Sequence, residues 1–545
     1  MNKKELDALY NGAISHYDKR EYEMALTKIN EILKVDENYI PAQNAKASIL
    51  IESWDGTIKN KSQIMEAISR LDIVIEKDPT NKKNYLKNKG NALYSLATRE
   101  LKDSMNILNL NIVDNLEKAR SCCRESLDID ENQPDVWINK GNALDHLGRH
   151  FEALECYDRA ILLENKHYNA WGNRGIACWR LSKKAKHDDD RNKLLFESMH
   201  YLMIELTMHP DFQITSQEKE LVTDFFTNNK IQFDLEKSIE AHMPKRKKYH
   251  RESFNLASKS PMGFQEFYYD FCDKHTLFLN LHFDCNKCDC SSLDLLQTGF
   301  IIPLKEAKKP YELFKRWFAI VDDYKAARAL LVLAQFRPQE LLFLDKQRYE
   351  PDYSLNYLVN VELLKEAFFK AVNICDKIAF FLNEYEELVK RDGKALTDKE
   401  ISFCGSNSIF NQTEIIEKNN YQIDLVGMDS IRKDLEKGEM KILLQIRHYL
   451  AHRYFVLHDI VDVKNLTYPY DPSRTPLENI EYHMDINEFF VNTIKALQNI
   501  RNVLFSLSFF ILEKEITKKN GAAGNIGELY WTLNWDDDKK GNKGR

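Results

Sequence analysis

Apolar residues recur at three-and-four spacing in four long stretches of the chain, residues 311–336, 361–388, 440–460 and 486–518. Phe368, Phe369, Val372, Cys375, Ile378, Ala379 and Leu382 are one such stripe, which lines up on a single face when the backbone turns every 3.6 residues. Four helices of roughly 20 to 30 residues predict a bundle. Residues 395–439 read as an insertion between its second and third helices. Upstream, residues 264–303 alternate aromatic and aliphatic side chains (Leu277, Phe278, Leu279, Leu281, then Phe300, Ile301, Ile302), which predicts short strands or extended segments.

The first 212 residues carry a longer period. Trp137 and Trp171 stand 34 residues apart, and Gly141 and Gly175 follow each of them by four positions. The segment VWINKGNALDHLGRHFEALECYDRAILLEN, from Val136, resembles a tetratricopeptide (TPR) repeat: Trp137, Gly141, Ala143, Leu147, Gly148, Ala153, Tyr157, Ala160 and Leu163 occupy that family's packing positions. Small residues there let two antiparallel helices approach, and large ones fill the gap. Weaker copies flank it. Ala13 and Ala47 keep the 34-residue spacing; Ala67, Leu71 and Val74 close a repeat at Asp78-Pro79; KGNALYSLA opens another whose second helix, 116–127, is displaced by an insertion; the last carries a polar insertion at 183–193 and closes at His209-Pro210. About five repeats over 1–212 are expected, and the resemblance implies a groove for a protein or peptide partner.

Composition agrees with a mostly α chain. Gly 18 and Pro 13 in 545 residues lie below the usual shares of roughly 7% and 5%. The formal charge of −7 excludes a basic nucleic-acid binder taken as a whole, but not a local basic cleft. Residues 1–24 are studded with charge and read as no secretory signal; the longest apolar run, 503–512, contains two serines and is too short for a membrane span. Ten cysteines in such a setting are expected as reduced thiols in the cytoplasm.

The third long helix contains Arg447-His448-Tyr449-Leu450-Ala451-His452. This R-x4-H pattern resembles the HEPN (higher eukaryotes and prokaryotes nucleotide-binding) superfamily, helical bundles that are frequently metal-independent ribonucleases. FCDKHTLFLNLHFDC, from Phe271, resembles a block that precedes the bundle in the TPR-linked branch, and YKAARALL with CDKIAFFLNEY resembles its first two bundle helices. The resemblance spans about 264–515. It implies that Arg447 and His452 carry RNA cleavage with His448, which replaces a frequent Asn, in support. RNA cleavage needs a base for the 2′-OH, a donor for the pentavalent phosphate and an acid for the 5′ oxygen; a histidine and a permanently charged guanidinium suit those tasks near neutral pH. Arg447 and His452 are about 140° apart on an ideal helix, and the family's pairing of two bundles implies a homodimer. The plainer reading makes them ion-paired interface residues, with Glu439 or Asp459 as carboxylates; Asp376 and Asn383, at i and i+7 on the second bundle helix, either support the site or face solvent, and solvent is the expected place.

A second constellation, Cys272-x2-His275-x9-Cys285-x2-Cys288, has the ligand types of a structural zinc site, packed free thiols being the alternative. No other cofactor is implied. Nucleotide-binding Gly-rich loops and the G-x-S-x-G elbow are absent from the sequence. The expected organisation is an N-terminal TPR solenoid (1–212), a helical connector with the basic stretch PKRKKYHR (213–263), a mixed segment with the Cys/His cluster (264–309), a HEPN four-helix bundle with insertions (310–520) and a tail (521–545). The expected function is a toxin-like or antiviral ribonuclease acting on RNA. The alternatives are a TPR adaptor whose bundle only dimerises or binds RNA, and a partner of a separate nucleotidyltransferase.

Overall fold

The computed structural model describes residues 3–57, 60–186, 188–209, 216–229, 231–244, 263–281, 294, 296, 298–303, 308–336, 358–458, 481–521 and 526–530. Its contacts divide into two compact units, Met1–Lys183 with Arg191–Pro244 and Asn420–Val426, and Lys184–Asp190 with Lys245–Asn419 and Gly427–Arg545.

The first unit is built of helix pairs: α1 (Lys3–Asp18) with α2 (Tyr22–Val35), α3 (Ile40–Glu52) with α4 (Lys61–Lys77), α5 (Lys82–Asp103) with α6 (Leu110–Ile129), α7 (Pro134–His146) with α8 (His150–Leu163), and α9 (Tyr168–Lys184) with α10 (Asp188–Met208). Two further helices follow, α11 (Ser216–Asn228) and α12 (Leu235–His242). The first four pairs also pack on one another, α2 on α3, α4 on α5 and α6 on α7, so the core there is a row of small clusters. The 34-residue period is visible atom by atom. Trp137 Nε1 donates to the Glu131 carbonyl at 2.9 Å, and Trp171 Nε1 donates to the Asn165 carbonyl at 2.8 Å, one period later. At Gly141 a Cβ would stand 2.6 Å from Tyr157 Cε1, and at Gly175 it would stand 2.9 Å from Leu202 Cγ, so both glycines mark close helix approach.

Two of the sequence expectations fail at helix boundaries. The third repeat is not interrupted by a long insertion before its second helix; α5 and α6 are 22 and 20 residues long against 13 and 14 in the pair that follows. The extra residues extend both helices because they keep the apolar spacing (Leu93, Leu96 and Ala97 on α5, Ile112, Val113 and Leu116 on α6, all buried). Likewise most of the polar run 183–193 is helix, since α9 ends at Lys184 and α10 starts at Asp188.

The second unit holds α13 (Phe264–Lys274), β1 (Gly299–Pro303), α14 (Lys308–Gln335), α15 (Leu358–Glu386), the short α16 (Ile409–Gln412) and α17 (Ile415–Lys418), most of α18 (Ile423–Lys437), α19 (Lys441–His452), β2 (Tyr454–His458), β3 (Glu481–Asp485), α20 (Ile486–Gly521) and β4 (Ile526–Tyr530). α14, α15, α19 and α20 form the bundle, with α15 touching the other three. Trp317 and Tyr324 of α14, Phe368 and Phe381 of α15, Ile446 of α19 and Phe489, Phe490 and Phe505 of α20 are all at most 1% exposed and form its core. β1 and β4 pair antiparallel, Gly299 opposite Tyr530, and β2 and β3 pair in parallel, Tyr454 opposite Glu481.

Residues 264–274 form a helix rather than a strand. Phe264, Phe267, Tyr268 and Phe271 repeat at helical spacing, which the local run of aromatics obscures. His275 accordingly caps a helix and opens a turn rather than starting a strand. The block that follows is clamped by two buried arginines. Arg328 of α14 donates to the Leu277 carbonyl and forks onto both oxygens of Asp294 at 2.7 and 2.6 Å; Arg501 of α20 donates to the carbonyls of Phe278 and Asn280 at 2.8 Å each. The third bundle helix is shorter than its apolar pattern implies. α19 stops at His452, Arg453 turns extended (φ −143°, ψ −173°), and Tyr-Phe-Val-Leu-His becomes a strand because its aromatic and β-branched residues suit a pleated, half-buried position.

Candidate active site

α19 turns Leu443, Ile446 and Tyr449 into the core and leaves Lys441, Gln445, His448 and His452 on its exposed face. Arg447 lies between the two faces and reaches across to α15. Its Nε donates to Asn373 Oδ1 at 2.9 Å and its Nη2 donates to Asp376 Oδ2 at 2.6 Å. Asn373 and Asp376 are neighbours on one helix face at i and i+3, so together they fix the plane of the guanidinium. Asp376 is itself held: its Oδ1 accepts the Phe403 backbone N–H at 3.1 Å, which joins the segment after α15 to the same point. The pair is half-buried, with 30% and 28% of the two side chains exposed.

His448 and His452 stand one turn apart with ring centroids 5.3 Å from each other. Partial desolvation, then the charges of Arg453 and His452, push the His448 pKa below its ordinary value, so its ring is neutral at pH 7. A neutral imidazole accepts a proton, and a guanidinium fixed by two acceptors still presents its remaining N–H groups to a phosphate.

Sequence reasoning thus located Arg447, His448 and His452 on one helix, but with the arginine turned toward α15 and the histidines toward solvent. It placed Asp376 wrongly. Instead of facing solvent, Asp376 is the ion-pair partner of Arg447, a role the sequence reading had offered to Glu439 or Asp459, the latter outside the described residues. Asn373 was missed, although its position three residues before Asp376 on the polar edge of α15 was the available signal. Asn383 lies two turns further along α15.

Of the four residues read as a zinc set, two are described. Cys272 is fully buried in α13, and burial pushes its thiol up to about 12. His275 is buried with its ring centroid 4.4 Å from that of Phe271. Cys285 and Cys288 lie outside the described residues, among which no group of three or more His, Cys, Asp and Glu is placed to hold a metal ion. No helix among the described residues is long and apolar enough to cross a membrane.

Both units resemble known proteins. A tetratricopeptide repeat-containing protein of Caenorhabditis elegans, trd-1, is 30% identical over 164 residues, which cover 28% of this chain and 21% of that protein. The chain therefore matches about a fifth of that relative's length. Among solved structures, a TPR protein of Thermus thermophilus aligns over 41% of this chain and 99% of its own at 12% identity and a TM-score of 0.30. The MamA protein aligns over 38% and 96% at 15% identity and a TM-score of 0.26. Residues 134–167, the repeat that contains Trp137 and Tyr157, match the tetratricopeptide repeat, and residues 304–514, which contain the bundle and the R-x4-H motif, match the LA2681-like HEPN family. Residues 134–167 thus carry a tetratricopeptide repeat and residues 304–514 an LA2681-like HEPN domain.

Proposed function

We propose that the HEPN domain is a metal-independent endoribonuclease. The observation that carries this reading is the seating of Arg447 on Asn373 and Asp376, next to an exposed helix face that offers His448 and His452. In this scheme a neutral histidine takes the proton of a ribose 2′-OH, and the 2′ oxygen bonds to phosphorus. Arg447 holds the non-bridging oxygens as charge builds on them, and the P–O5′ bond breaks with a proton returned to the 5′ oxygen. The products are a 2′,3′-cyclic phosphate and a 5′-hydroxyl, with no change of oxidation state. His452 carries the main acid–base work with His448 beside it. Two copies meeting across α19 would bring two such sets into one cleft, and the TPR helices would hold a protein or peptide that directs or restrains the cut.

The test uses the purified full chain with RNA in EDTA. Cleavage with cyclic-phosphate ends is expected in the wild type and a loss of roughly 100-fold or more in Arg447→Ala and His452→Ala. Equal RNA integrity with all three proteins refutes the nuclease. The ion pair with Asp376 also favours a second reading, in which Arg447 only fastens α19 to α15 and the protein is a TPR adaptor. That reading requires Arg447→Ala to lower stability while partner binding and RNA integrity are unchanged.

A further inference from the structure

Beside His448, the C-terminal end of α18, the exposed face of α19 and β3 enclose an open cleft of about 340 Å³. Its chemistry is mixed in a specific way. One wall is aromatic: Tyr482 stacks on Phe455 (centroids 5.9 Å apart, planes 10° apart) and lies 4.9 Å from Tyr449, so the ring is braced by neighbours on two sides and remains half-exposed. Lys441 supplies an exposed cation at the rim and Gln445 an amide that can both donate and accept. Glu436 supplies a carboxylate that is held in place, since its Oε1 accepts the Gly405 N–H at 2.7 Å and Arg432 Nη1 at 2.8 Å.

We infer that this cleft is a nucleobase subsite selective for guanine, adjoining the R-x4-H motif. The volume sits at the small end of the roughly 300–1,000 Å³ of small-molecule sites, enough for a single nucleotide. A braced tyrosine is the kind of platform on which an unstacked base lies. The carboxylate selects among bases. Guanine alone presents two adjacent donors, N1–H and the N2 amine, on its Watson–Crick edge, and with Oε1 of Glu436 taken by Gly405 and Arg432 the pair converges on the lone-pair sites of Oε2. Gln445 can donate to the guanine O6, and Lys441 can meet the attached phosphate. Uracil offers a single donor between two carbonyls that would face the carboxylate unfavourably. The inference deepens the ribonuclease reading and rests on it for its place in cleavage, but the subsite itself is testable without turnover.

The experiment is calorimetric titration of the full chain with GMP, AMP, CMP and UMP, alongside Tyr482→Phe, Tyr482→Ala and Glu436→Gln. GMP is expected to bind at least tenfold more tightly than the other three. Tyr482→Phe, which keeps the stacking face, should retain that affinity, Tyr482→Ala should lose it by tenfold or more, and Glu436→Gln should level the four nucleotides while circular dichroism stays native. Equal binding of all four to the wild type, no binding of any, or unchanged preference in Glu436→Gln overturns the proposal. GMP selectivity in a chain that cuts no RNA supports the subsite and counts against the nuclease alone. Cleavage with no preference for guanosine at the cut site, together with equal nucleotide binding, does the reverse.

Discussion

Replacing Asp376 with alanine removes three bonds, of which the 3.4 Å contact from Ser402 Oγ to Oδ1 is long enough to add little. The first is the ion pair with Arg447, a 2.6 Å contact whose side chains are 28% and 30% exposed. A charge-assisted hydrogen bond contributes about 1.5–3 kcal/mol when sheltered, and solvent screening at this exposure reduces it to about 1 kcal/mol. The second is the bond from the Phe403 N–H at 3.1 Å, worth about 1 kcal/mol. Asp376→Ala is therefore expected to cost about 2 kcal/mol of HEPN-unit stability, and Asp376→Asn, which keeps an acceptor of the same shape, about half of that. The effect on cleavage should be larger than on folding. With only Asn373 left to orient it, the Arg447 fork can swing by about an ångström, a misplacement worth up to about 100-fold in rate. Urea unfolding followed by tyrosine and tryptophan fluorescence gives the first number, and initial rates on a short RNA give the second. A variant that loses the expected stability yet cuts within about twofold of wild type would show that the orientation of Arg447 has no part in the reaction. A variant that loses neither would refute the bond pattern itself.

In the TPR unit, Gly141→Ala forces a Cβ to within 2.6 Å of the buried Tyr157 ring, whose hydroxyl is bonded to Asn142. Overpacking of that kind costs about 1–3 kcal/mol, and a fall in thermal midpoint confined to the TPR transition checks it. The lowered His448 pKa has a sign in pH: its ring is neutral above that pKa, so NMR titration of this imidazole should give a midpoint below the ordinary 6.5 of histidine. Arg453→Gln removes one of the charges that lowers it and should move that midpoint to higher pH; a parallel shift of the pH–rate profile would make His448, not His452, the main base.

The elements best legible in the sequence were those whose apolar period runs uninterrupted. Phe368 to Leu382 on α15 and Trp137 to Ala160 in the repeat alternate small and large residues at helical spacing, and burial in the structure follows that stripe. Where two periods overlap, pattern alone misleads. The aromatics of residues 264–271 satisfy both a strand and a helix, and the tertiary contact of Phe271 with Phe490 of α20 lies 219 positions away in sequence, out of reach of any local window. The end of α19 was overrun for the opposite reason. Tyr454 to His458 continue the apolar run, and the pairing with β3 that makes them a strand comes from residues 481–485.

The site shows the same division. A single helix can display that Arg447 and His452 share one element, and helix geometry sets them about 140° apart, which at sequence level looks like a poor seat for joint chemistry. The structure turns the separation into an arrangement: the inward edge of α19 anchors the guanidinium on α15, and the outward edge keeps the imidazoles accessible. A spacing of i and i+4 would have put both residues on one face and forced a choice between anchoring and access. The five-residue spacing allows Arg447 to be rigid and His452 open on the same turn and a half of helix, and what made it unreadable from sequence was the carboxylate on α15, 71 residues earlier, that makes the rigid half possible.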